Sequence, residues 1–269
     1  MTLAVTILGC GSSTGVPRIG GSDGAGDWGA CDPVNPKNRR RRCSILLRRQ
    51  DDGSSTNVLV DTSPDLREQL LQARCARLDG VLITHDHADQ THGMDDLRAV
   101  AYGMRRRVDV YSDRFCLDSL LAKFGYAFAT PESSPYPPIL TAHEIRVFEP
   151  FELSGAGGAI PVLAFPQQHG RIESLGFRFG PLAYSPDVSA LSEEALAALA
   201  GIEVWILDAL RHAPHPTHAN VATALGWIAR VKPARAILTN LHLDLDYETL
   251  KRELSPGVEP AFDGMMVAL

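Results

Sequence analysis

Cysteine is scarce in this chain and never paired in spacing. Five occur, at 10, 31, 43, 75 and 116, and no two are separated as in CxxC. That excludes the usual sequence basis for a disulfide framework, and a reducing cytoplasm is the expected compartment. Charge of one sign is also lacking. A net charge of −6 gives no general drive toward nucleic acid or an anionic membrane. No apolar run approaches the roughly 20 residues of a membrane-spanning helix. The opening MTLAVTILGCGSS has no basic segment ahead of its short apolar run, so a secretory leader is not expected. The glycine-rich GCGSSTG (9 to 15) has neither the GxGxxG spacing nor the lysine of a P-loop, which argues against a nucleotide-binding fold.

What is present is an ordinary globular composition, 45% hydrophobic over 269 residues, enough to bury a sizeable core. A single domain over residues 1–269 is expected. LAVTILG, CSILLRR, NVLVDTS and GVLITH read as short strands rich in Val, Ile and Leu. PDLREQLLQAR reads as a helix with Pro64 in its first turn and Ser63 as N-cap. Further on, IPVLAFPQQ, SLGFRFG, PLAYSPD, EVWILDAL, ARAILTNLH and GMMVAL read as strands. SEEALAALA, ATALGWIARV and DYETLKREL read as helices. Strands interleaved with helices predict a layered α/β domain. The halves share this alternation without a sequence repeat. Two segments are too long for plain connections, 20 to 42 and 130 to 138.

LITHDHADQTHG (82 to 93) departs from the ordinary. Three of the chain's nine histidines fall here with two aspartates, just past an apolar strand. His85 and His87 alternate, so in an extended segment they point the same way, and Asp89 lies two further on. Imidazole and carboxylate are the protein donors of divalent transition metals. His169 ends a strand in FPQQHG, Asp187 ends another in AYSPD, and His242 ends a third in LTNLHLD. Taken alone, each is more commonly a turn residue or a cap. Their recurrence at strand ends carries the weight, because functional groups of open α/β sheets gather there.

HxHxD after a strand, then a lone His, an Asp and a final His, resembles the metallo-β-lactamase fold. The segments LGCGSSTGVP, VDTSPD, THDHADQTHGMDDLR, QQHG, AYSPD, HPTHANV and TNLHLDLDY carry the resemblance across essentially the whole chain. Within that superfamily the chain is most similar to the phosphoribosyl 1,2-cyclic phosphate phosphodiesterases and, more distantly, to the tRNA 3′-end endonucleases. The resemblance implies an αββα sandwich of two mixed sheets, with two divalent ions, manganese or zinc, at one edge. It also implies a homodimer. His85, His87 and His169 would take the first metal, Asp89 and His242 the second, and Asp187 would bridge them. The family pattern is HxHxDH, and its last position here is Gln90. A glutamine oxygen is a weak ligand, poorer than imidazole for zinc. The second ion is therefore weakly held, oxygen-preferring or absent. His92 is expected away from the ligands.

Two cations sharing a water lower its pKa and supply hydroxide for attack on phosphorus. The leaving alkoxide needs a proton. By resemblance His218, just before a late helix, supplies it, with His215 as alternate and His212 structural. The family also implies a base role for Asp89. His215 and Arg42, the last of the run Arg39 to Arg42, are candidate substrate contacts. Trp28 either stacks on a base or ribose or packs. The expected function is a metal-dependent phosphodiesterase acting on a small cyclic or nucleotide-like phosphate ester. Two alternatives stand. One is a lactone, thioester or β-lactam hydrolase on the same fold. The other is a non-catalytic nucleotide-binding relative whose second site has decayed. RNA processing is not expected, because no basic Gly/Pro-rich arm is found.

Overall fold

Val5, Ile7, Ile45, Leu47, Val58 and Val60 turn to one face of their strands, and Leu8, Leu46 and Leu59 to the other. This is the period-two alternation of extended chain. Both faces are apolar, so the sheet they form must be covered twice. The computed structural model, which describes residues 2–132 and 134–269, shows both covers. Met1, and Ser133 within the 130–138 loop, lie outside the described residues.

One seven-stranded sheet runs, in order, Met266–Ala268, Thr2–Gly9, Ser44–Asp51, Ser54–Val60, Gly80–Leu82, Val108–Ser112 and Leu140–Glu144. The second runs Phe151–Gly155, Gly158–His169, Ile172–Phe179, Leu182–Ser185, Val204–Asp208, Arg235–Thr239 and Val258–Pro260. In each, the first four strands pair antiparallel and the last three continue in parallel. The two halves thus share an architecture that leaves no repeat in the sequence.

The inner faces pack on each other, Ile7, Leu47 and Val60 in one core with Phe177, Phe179, Tyr184 and Ile206. Helices Leu66–Gln72, Leu97–Met104 and Arg114–Phe128 cover the outer face of the first sheet. Glu193–Ala198, Val221–Val231 and Tyr247–Glu253 cover that of the second. The result is the αββα sandwich that the motifs imply. All five cysteines are buried and free. Among the described residues no helix is long and apolar enough to cross a membrane.

Ser63 is not the helix cap. The first helical turn starts at Leu66 with Asp65 before it, and the Ser63 hydroxyl instead accepts from Asp65 N–H at 3.1 Å. Asp65 is drawn to the long first loop, where it accepts the Arg42 N–H at 2.9 Å. That loop is tied down by its arginines. Arg40 is 2% exposed and donates to the carbonyls of His242 and Leu245. Arg41 pairs with Asp263 at 3.0 Å, and Arg39 lies 5.1 Å over the Trp28 ring. Trp28 packs with Val16, Cys31 and Leu243, which is the packing role. The GCGSSTG turn is structural as well. A Cβ on Gly9 would lie 2.0 Å from the Arg42 carbonyl oxygen, so only glycine lets the loop approach.

Candidate metal centre

Most groups of the centre stand at or just beyond a strand's C-terminal end, while Asp89 and Gln90 lie in the short helix Ala88–Thr91 and His218 precedes the helix Val221–Val231. His85 follows Gly80–Leu82, His169 ends Gly158–His169, and Asp187 follows Leu182–Ser185. Asp208 ends Val204–Asp208, and Asn240 follows Arg235–Thr239. Asp187 and Asn240 have left-handed φ of 47° and 61°, as does Asp61 at 67°. Asp and Asn tolerate this region better than other side chains, and here it turns the chain off the strand and into the site.

His85, His87 and His169 bring one ring nitrogen each to within 4.8 Å of the others. For His85 and His169, outer partners fix which nitrogen that is. The Thr84 hydroxyl donates to buried Asp61 at 3.0 Å, so at 3.0 Å from His85 Nδ1 it can only accept. His85 therefore keeps its proton on Nδ1. Its Nε2 lone pair is buried without a partner and lies 3.8 Å from Asp187 Oδ2. His169 Nδ1 donates to the Thr217 carbonyl at 2.7 Å, which likewise frees Nε2. That Nε2 is 3.2 Å from His87 Nδ1. A tetrahedral zinc–imidazole site has an N···N edge of about 3.3 Å, from Zn–N bonds of about 2.0–2.1 Å. Burial holds His85 well below the ordinary imidazole pKa. Burial and the charge of His218 take His169 down to about 4. Both rings are thus neutral and ready to ligate. Asp61, Asp187 and Asp208 are all buried, and burial raises the pKa of each. The residues present fit a first metal ion.

The second half of the site is different. Gln90 is fully buried, and its Nε2 donates to Asp187 Oδ2 at 2.9 Å and to Asp89 Oδ2 at 3.2 Å. Asn240 Nδ2 donates to the other Asp187 oxygen at 2.6 Å. Burial and the neighbouring Asp187 raise the Asp89 pKa. His242, expected here, is not brought in. Its Nδ1 lies 2.9 Å from Asp244 Oδ2, outside both groups of potential metal ligands among the described residues. The reason is register. The strand stops at Thr239, so Asn240 is the side chain aimed at Asp187, and by His242 the backbone has turned to pair with Leu210.

His218 stands beside the cluster, its ring centre 4.8 Å from that of His169. Its Nδ1 donates to Asp208 Oδ2 at 2.8 Å, which leaves Nε2 as the proton-bearing edge away from that partner. Burial opposes protonation, but the hydrogen bond and charge of Asp208, with Asp187 and Asp89 behind it, raise His218 to about 9. Burial lifts Asp208 to about 6 against the pull of His218. At neutral pH the pair is therefore imidazolium and carboxylate. Asp208 and Asn240 were not among the expected site residues. Both occupy the strand-end position that marks the others, and that was the available signal.

The remaining candidates scatter. His215 stays close, its ring centre 5.1 Å from His218 and its Nδ1 held by the Thr217 hydroxyl at 3.2 Å. His92 is exposed and meets the Phe124 ring. His212 pairs with Glu253 at 3.3 Å. Asp86 faces away and accepts from Ser119 and Lys123. Arg42 does not join the histidines. Its Nε lies 3.0 Å from Asp65, in the wall of a cavity of about 600 Å³ that none of the metal-centre groups lines.

Comparison with known proteins agrees with this geometry. The Beta-lactamase superfamily domain matches residues 56–240. A curated octanoyltransferase of Porphyromonas gingivalis is 30% identical over 96% of this chain and 50% of its own length. The chain thus spans about half of that relative, and the transferase name stays with the longer protein. The crystal structure of a diphosphatase from the PhnP family is 33% identical, with a TM-score of 0.87 over 100% of this chain and 98% of that one. The short form of human tRNase Z is more distant, 17% identical with a TM-score of 0.64 over 98% of each chain, and shows the shared fold. With the family pattern covering most of the chain and the αββα layers in place, the chain belongs to the β-lactamase superfamily and has the metallo-β-lactamase fold, near the PhnP-family structure.

Proposed function

We propose that this chain is a metal-dependent phosphodiesterase that cleaves a small cyclic or nucleotide-like phosphate ester. The observation that carries the reading is His218, held at 2.8 Å by Asp208 beside the three-histidine cluster. A divalent ion held by His85, His87, His169 and Asp187 would supply Lewis acidity and a water of lowered pKa. The imidazole-rich donor set suits zinc, with manganese the alternative. The chain's own groups do the rest. Asp208 fixes the His218 ring and keeps it charged, so Nε2 can deliver a proton to the departing alkoxide. His215, next to it, is placed to contact the ester. Asp89, oriented by Gln90, is the available base. A thioester hydrolase has less use for a built imidazolium, because a thiolate departs with little help. The similarity to a PhnP-family diphosphatase supports a phosphate substrate, and the five free cysteines fit a reducing compartment.

The test compares metal-stripped protein reconstituted with zinc or manganese on three substrate sets. These are bis(p-nitrophenyl) phosphate, a nucleoside cyclic phosphate with a dinucleoside diphosphate, and a lactone, thioester and β-lactam panel. Metal-dependent cleavage of phosphate esters is expected, with kcat reduced about 10²- to 10⁴-fold in His218→Ala. Turnover of the acyl panel with phosphate esters untouched would overturn the reading.

A further inference from the structure

We propose that this centre is built for one metal ion, with the amides of Gln90 and Asn240 standing where the second would bind. The inference rests on the metal-centre reading above and departs from the two-ion expectation. Three observations carry it. First, Gln90 Nε2 lies between the Asp89 and Asp187 carboxylates, 3.2 and 2.9 Å from their oxygens, and bridges them as a shared cation would. An amide nitrogen has no lone pair to give a metal, and its two protons match the two acceptors. Second, Asn240 Nδ2 holds the other Asp187 oxygen at 2.6 Å, so both oxygens of the expected bridging carboxylate carry an amide donor. Third, among the described residues the imidazole that comes near this half is His218, 3.4 Å from Asp187 Oδ1 but with that nitrogen committed to Asp208 at 2.8 Å, and His242 is turned to Asp244. The three-histidine half holds a buried nitrogen without a partner, His85 Nε2, 3.8 Å from Asp187 Oδ2.

The chemistry of the two halves follows. The first keeps three imidazoles with ring nitrogens within 4.8 Å of one another, beside Asp187. The second has traded a cation for two neutral donors that hold its carboxylates in place. Gln90 Oε1 remains buried without a partner, as expected when the nitrogen end is committed to the acids. To ligate, that amide would have to rotate and give up both charge-assisted hydrogen bonds.

Metal content after reconstitution with excess zinc, and separately manganese, followed by gel filtration, gives the direct reading. One ion per chain is expected with either metal. Bound manganese should give the six-line electron paramagnetic resonance spectrum of an isolated ion. Two ions per chain, or an exchange-coupled manganese spectrum, would overturn this inference while leaving the metal-centre reading intact. No bound metal at all would overturn both. The Gln90→His/Asn240→His double variant, checked for folding by circular dichroism, is expected to bind a second ion. A folded double variant that still takes only one would count against the placement of the second site.

Discussion

At the scale of single residues, the chemistry turns on which nitrogen or oxygen faces inward. The sequence shows His85, His87 and His169 as candidates, but the tautomers of His85 and His169 come from Thr84, Asp61 and the Thr217 carbonyl, which no motif announces. The same holds for His218. Its position before a helix suggests a role, but its charge depends on Asp208, a buried residue ten positions away. Its pKa is raised to about 9, so the protonated donor is present below that value and lost as pH rises through it. A bound cation pushes the value down. The alkaline limb of kcat is therefore expected at or below about 9 in wild type. In Asp208→Asn it should move down by about one unit or more, because the neutral amide no longer stabilises the imidazolium. An unmoved limb in a folded Asp208→Asn protein would remove His218 from the donor role.

At the scale of elements, the strands were legible and their ends were not. Runs such as CSILLRR and EVWILDAL have β-branched and leucine residues on both faces, which a covered strand requires. Helix starts at Ser192, Asn220 and Asp246 are written in the sequence as capping side chains, each accepting an N–H in the first turn. The helices Leu97–Met104 and Arg114–Phe128, and strands Val108–Ser112, Leu140–Glu144 and Phe151–Gly155, were not assigned from sequence. Arg114–Phe128 mixes exposed Phe115, Leu121 and Tyr126 among its buried residues, which blurs the helical stripe. Asp246 does more than cap. It also accepts from Asn38 at 2.7 Å and Asp32 N–H at 3.2 Å, tying the long loop to the last helix. Burial works to raise its pKa, but these donors hold it at about 2. Its contribution is therefore present above the unfolded carboxylate value of about 3.9 and lost as pH falls through about 2. Asp246→Ala is expected to cost about 0.5–2 kcal/mol in urea unfolding at pH 7, in the range of a lost cap. A variant as stable as wild type would show that the loop anchors without it.

At the scale of the whole molecule, the site exists because two sheets meet. His85 and Asp61 come from one sheet, and His169, Asp187, Asp208 and Asn240 from the other. The core between them sets their spacing, together with bonds across the seam such as Gln90 to Asp187. Phe177, fully buried in that core, is the side chain to test. Phe177→Ala is expected to lower unfolding stability by about 3–5 kcal/mol. It should also weaken metal retention, since it loosens the packing of both ligand-bearing sheets. A large stability loss with metal binding untouched would show that each half holds its ligands independently.

By itself the sequence determined a layered α/β chain and the placement of His85, His169 and Asp187 at strand ends, because both follow from local patterning, while the αββα order was implied by the resemblance. It also set the neutral Gln90 where the family pattern has an imidazole. Tertiary structure alone decided that Asn240, not His242, meets Asp187, that Asp208 charges His218, and that Arg42 serves Asp65 rather than the centre. Those outcomes depend on where each strand ends and which way the chain then turns. A shift of one or two residues at a strand end changes which side chain faces the site, and the hydrophobic pattern that marks the strand does not record it.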